Sequence, residues 1–161
     1  MNPRTRAPWA LVAICAVGGL TDVGFSADSR NLLVLGRDGR GLFDCRTGVR
    51  SARDHDDRFD WFDPPSKHAL GIGPFAQMWL PVAGLGGGSL STATSDGWRA
   101  TTTPTPGSVR LEADGLEPVD VTDADEVRTC GFSPDGRVFV LATSAGVMLL
   151  RRNPWPGSRS A

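Results

Sequence analysis

The densest concentration of side chains able to do chemistry lies between residues 54 and 68. Asp54-His55-Asp56-Asp57 is followed by Asp60, Asp63 and His68. Carboxylate oxygens suit Ca²⁺ or Mg²⁺, and imidazole nitrogens shift the preference towards Zn²⁺. Asp54, His55, Asp56, Asp57 and His68 are therefore the candidate ligands of a metal-dependent hydrolase or a ligand-binding protein. The spacing matches neither an EF-hand loop nor the paired histidines of a zinc helix. With Arg53 and Arg58 alongside, the stretch reads first as a solvated, charge-balanced loop, and the leading expectation carries no metal and no cofactor.

Other chemistry finds less support. No Gly-x-Ser-x-Gly occurs, and nothing near Cys45 favours a thiolate that His55 or His68 would activate. Gly71-Ile-Gly-Pro74 and Gly84-Leu-Gly-Gly-Gly88 lack the Lys-Ser/Thr and the following helix of a phosphate-binding loop, so they read as turns. Glu112 to Glu126 holds seven acidic residues and no basic one, which suits a solvated connector. Arginines alternate with aspartates, and the formal net charge is −1, so no basic field would gather nucleic acid or an anionic membrane. The chain leans away from catalysis.

Phe59, Trp61 and Phe62 stand within a polar loop that ends in Pro64-Pro65. Strand alternation cannot turn all three towards one core. Either some are exposed anchors for a partner, or the loop folds back and uses them as stoppers between sheets. Phe59, Trp61, Phe62 and Asp63, with Trp98 on the Asp96-Gly97 turn, are the candidate binding residues, and the expected partner is another protein or a second copy of the chain.

These residues need elements to hold them. Twenty Gly and twelve Pro spread along 161 residues favour many short strands over long helices. Asp far outnumbers Glu, as turn-capping predicts, and Lys67 is the only lysine. The wealth of Arg, Gly, Pro and Ala is also what GC-rich codons give, pointing to a bacterial genome. Cys15, Cys45 and Cys130 form no C-x-x-C and are odd in number, so a disulfide framework is not expected and the cytoplasm is the default location. Trp9 to Val17, preceded by Arg4 and Arg6, imitates a secretion signal but is too short to span a bilayer. It is read as a buried strand, with export as the alternative.

Two windows repeat without a gap. Gly24, Phe25, Ser26, Asp28 and Arg30 align with Gly131, Phe132, Ser133, Asp135 and Arg137, and the register continues to Gly39 on Gly146 and Leu42 on Leu149. Each is strand, polar turn, strand, turn, strand. The stretches "GFSADSRNLLVLGRDGRGLFDCRTG" and "GFSPDGRVFVLATSAGVMLLRRN" resemble blades of tryptophan-aspartate-repeat and related bacterial β-propellers, although the Trp-Asp dipeptide and Gly-His signature are missing. The resemblance implies a fold and leaves function open, because propellers host unrelated activities.

The expected architecture is all-β, with about three propeller-like four-stranded antiparallel units, as an incomplete propeller or a compact sandwich-like packing. A single domain over 1–153 would hold units near 20–54, 68–104 and 108–152, with 8–17 as a closing strand against the Val138–Leu150 hairpin and 154–161 as a flexible tail. Three units leave raw sheet edges or faces, which self-association would cover. The expected function is a non-catalytic protein-interaction module.

Overall fold

The computed structural model describes residues 8–152. Among the described residues fifteen strands form four antiparallel sheets, and the fold is all-β apart from one 3₁₀ turn at Gly73–Phe75. Sheet I comprises β2 (Leu20–Phe25), β3 (Asn31–Gly36), β4 (Gly39–Asp44) and β5 (Arg50–Asp54), with β9 (Ala83–Gly84) added beside β2. Sheet II is β6 (Phe62–Asp63), β7 (His68–Leu70) and β8 (Trp79–Pro81), and sheet III is β10 (Arg99–Thr102), β11 (Ser108–Glu112) and β12 (Val119–Thr122). Sheet IV unites β13 (Val127–Phe132), β14 (Val138–Thr143) and β15 (Gly146–Arg152) with β1 (Trp9–Ala16) from the other end of the chain.

The two repeated windows become equivalent strands. Leu20–Phe25 answers to Val127–Phe132 and Asn31–Gly36 to Val138–Thr143, bound for bound. The joining turns share their hydrogen bonds. Ser26 and Ser133 donate from Oγ to Asp28 and Asp135 at 2.6 and 2.7 Å, and each serine Oγ accepts the backbone N–H five residues on at 3.0 Å. Each aspartate also accepts the N–H of Arg30 or Arg137 at 3.0 Å. The sequence Phe-Ser-x-Asp-x-Arg thus specifies a turn whose polar groups satisfy one another. The fourth strand of the repeat is β5 in sheet I and β1 in sheet IV.

Three apolar clusters set the order of the sheets. Leu32, Val34 and Phe43 of sheet I meet Val140, Val147 and Leu149 of sheet IV. Leu33, Leu35 and Leu42, on the opposite face of sheet I, meet Trp61, Ala69 and Leu80 around sheet II. Trp9, Phe132, Phe139 and Leu141 of sheet IV meet Trp98, Val109, Leu111 and Val121 around sheet III. Sheets I and IV are buried on both faces, which explains their unbroken apolar strands NLLVLG and VFVLAT. The packing order is II–I–IV–III, and among the described residues no apolar cluster joins II to III.

Four sheets stand where about three units were expected, and two boundaries move. The Thr/Pro stretch 103–107 is a hairpin loop joining β10 to β11, with Gly107 at φ 74° and the Thr103 N–H donating to the Ser108 carbonyl. The units expected at 68–104 and 108–152 are therefore each divided. Within the acidic stretch, Val119 and Val121 make strand β12 rather than a connector, because burial of Val121 anchors it beside β11. The expected tail 154–161 lies outside the described residues.

The segment after β8 crosses the middle of the molecule. Its β9 pairs with β2, and further on Ser91 bridges Phe132 of β13. The crossing passes directly over the first glycine of each repeat. A β-carbon on Gly24 would collide with the Pro81 carbonyl, and one on Gly131 with Leu90 and with the Ser91 carbonyl 2.7 Å away. These glycines serve close backbone approach, not turn geometry.

Candidate functional site

The aspartates of the 54–68 loop are engaged within the chain. Asp54 forms an ion pair with Arg40, which is buried, donates to the Leu70 carbonyl at 2.6 Å and lies 5.1 Å from the Trp61 ring centre. Asp56 pairs with Arg58 at 2.7 Å and accepts the Arg58 N–H; these hydrogen bonds hold its carboxyl well below the usual carboxylate range. His68 Nδ1 sits 2.8 Å from the Ser66 carbonyl. Among the described residues no group of three His, Cys, Asp or Glu side chains converges as a metal site. The alternative ligand set Asp54, His55, Asp56, Asp57 and His68 is not assembled, because Arg40 and Arg58 claim its central carboxylates.

The aromatic residues divide. Trp61 is only 3% exposed, donates from Nε1 to the Asp56 carbonyl at 3.0 Å and plugs the space between sheets I and II beneath Arg40. Phe62 is half-buried in the same cluster, Asp63 accepts from Ser66, and Phe59 is 47% exposed with its ring 5.3 Å from that of Trp61. Trp98 is also 3% exposed, edge-on to Trp9 at 5.7 Å. Trp61 and Trp98 are thus packing residues and present nothing to a partner. Phe59 keeps an accessible face.

Cys45 is likewise excluded as a nucleophile. Burial, reinforced by Asp44, Asp135 and Asp28, pushes its thiol up to about 12, so it stays protonated at neutral pH.

The exposed apolar surface that sequence reasoning missed is on β1. The strand is not buried along its length: only Trp9 is, while Leu11 and Ile14 are 56% and 67% exposed. β1 pairs with β15 on one side and is the edge of sheet IV on the other. Its sequence WALVAICA has no charge and no proline, and the only interruption is a shift of register between Leu11 and Ala13. Edge strands of monomeric proteins are ordinarily blunted by Lys, Pro or strong bulges, because their outward N–H and C=O groups template pairing with another strand. The apolar run was visible in the sequence. Its edge position depends on which strand pairs with which, and no local signal carries that.

A second feature lies at the seam of the repeats. The turns Ser26–Arg30 and Ser133–Arg137 meet side by side, the Asp135 N–H donating to Ser29 Oγ at 3.0 Å, and together they wall a cleft of about 660 Å³.

No protein-family model matches the chain, and no curated protein matches it significantly. Among the described residues no helix is long and apolar enough to cross a membrane.

Proposed function

We propose that the protein is a non-catalytic interaction module that recognises by strand addition at β1, and that its occupant is a second copy of the chain. The observation that carries this reading is the eight-residue, uncharged, apolar edge strand Trp9–Ala16 with Leu11 and Ile14 outward in solvent. Strand addition gains main-chain hydrogen bonds along the edge, while alternate side chains supply specificity. Identical edges meet antiparallel across a two-fold axis, so the surface is complementary to itself. The sheet would then continue from β15 through β1 into β1 of the partner. The blade resemblance is in keeping with this, since β1 takes the outermost position of a four-stranded unit.

Hydrogen exchange tests the reading. The amides of β1 that point away from β15 are expected to exchange more slowly as protein concentration rises, and Ile14→Lys is expected to remove that dependence. Exchange at those amides that is fast and independent of concentration contradicts strand addition.

A further inference from the structure

The cleft between sheets I and IV has a charge pattern that the packing of the sheets does not require. Four arginines line it, Arg30 and Arg46 from sheet I and its turns, and Arg137 and Arg151 from sheet IV. All four are exposed, and among the described residues none forms an ion pair with a carboxylate. Elsewhere Arg40, Arg58, Arg99, Arg110, Arg128 and Arg152 each have an acidic partner within 4.0 Å, while Arg37, Arg50 and Arg53 are exposed and, among the described residues, also without one; the cleft is set apart by gathering four such guanidinium groups in one lining.

Three aspartates share the lining, and one oxygen of each is engaged by hydrogen bonds within its own turn. Asp28 and Asp135 each accept a serine Oγ and an arginine N–H of their own turn, and Asp44 accepts the N–H groups of Arg46 and Thr47 at 2.8 and 3.0 Å. In each case the engaged atom is Oδ1. The four arginines come from both walls and outnumber the three aspartates of the lining by one charge.

We infer that this cleft binds a small multivalent oxyanion. Guanidinium forks match phosphate and carboxylate oxygens two at a time, and arginines on facing walls suit a ligand with at least two anionic groups. About 660 Å³ falls within the range of small-molecule sites and exceeds the needs of one phosphate. The remaining aspartate oxygens accept hydroxyl groups of the ligand, which favours a hydroxylated anion. The overall charge of −1 makes the concentration local, so attraction comes from the cleft and not from the molecule at large. The site is built from the repeated turns and is independent of the β1 edge.

Calorimetric titration of the full chain at low ionic strength, with pyrophosphate in one arm and citrate in the other, tests the assignment. Binding tighter than about 1 mM is expected for at least one of them, weakening as salt is added. Arg30→Gln with Arg137→Gln is expected to weaken it by about tenfold or more, and Arg46→Gln with Arg151→Gln likewise. Arg99→Gln with Arg110→Gln, on the outer face of sheet III, is expected to change nothing. Binding of pyrophosphate alone identifies a phosphate-bearing ligand, and binding of both identifies the broader oxyanion class. No heat in either arm up to about 10 mM, or undiminished binding by both pairs of cleft variants with native circular dichroism, overturns the assignment.

Discussion

Ser133 shows how much a single hydroxyl contributes to the repeated turn. It is buried, it donates to Asp135, and it accepts the N–H of the equally buried Val138. Removing the oxygen strands that N–H without water. Ser133→Ala is therefore expected to lower unfolding free energy by about 1–3 kcal/mol in urea titration, with Ser26→Ala costing less because Asn31 is only half-buried. A loss below about 0.5 kcal/mol for Ser133→Ala contradicts this account of the turn. Asp28 in the first of these turns and Asp44 in the turn after β4 add a dependence on pH. Hydrogen bonds from Ser26 and from the Arg30 N–H hold the Asp28 carboxyl below its ordinary value, and at Asp44 the bonds from Thr47 and Arg46 outweigh the opposing effect of burial. A carboxyl whose value is depressed by folding stabilises the native state above its unfolded value, and that stabilisation disappears as pH falls through the folded one. The urea midpoint is expected to be level from pH 7 to about 5 and to fall below about pH 4, less steeply in Asp28→Asn. A midpoint unchanged down to about pH 2.5 contradicts it.

At the scale of elements, what was legible in the sequence depended on how local its cause is. Sheet I and the hairpins of sheet IV could be read from Phe-Ser-x-Asp-x-Arg and Asp38-Gly39, since turn chemistry is decided within a few residues. Strands of sheets II and III fell within the expected units, but their division into two separate sheets could not be read, because these short strands are held by what lies under them: Ala69 and Leu80 by sheet I, Val109 and Val121 by sheet IV. The role of Trp61 was open for the same reason, since its partner Arg40 lies in another strand. The two repeat glycines make a further case. Their identity is fixed by a crossing segment forty or more residues distant from either, along 81–91. Gly24→Ala and Gly131→Ala are each expected to cost about 2 kcal/mol or more, as the backbone of the crossing strand must shift. Gly18→Ala, where a β-carbon meets nothing within 4 Å, is expected to stay within about 0.5 kcal/mol. Equal effects at the three positions, measured by denaturant titration, contradict the crossing arrangement.

For the whole molecule, the order II–I–IV–III leaves two outermost sheets with different surfaces. Sheet III bears Arg99–Asp114 and Arg110–Asp120 ion pairs, which suit solvent, while sheet II carries the exposed Trp79 and Met78. Of the raw sheet edges or faces expected to call for self-association, the proposal selects one edge, β1. The candidate site was half legible: the apolar run at 9–17 was evident, but its exposure follows from pairing with β15 alone. The aromatic loop drew attention for its composition, and two of its three rings are largely spent on packing. The central claim, that β1 joins two copies, is tested most directly by absolute mass from light scattering over a range of concentrations. A mass twice the 17.1 kDa of the chain, returning to that of a single chain in Ile14→Lys, is the predicted result. A wild-type protein that stays at the single-chain mass at every concentration would contradict it.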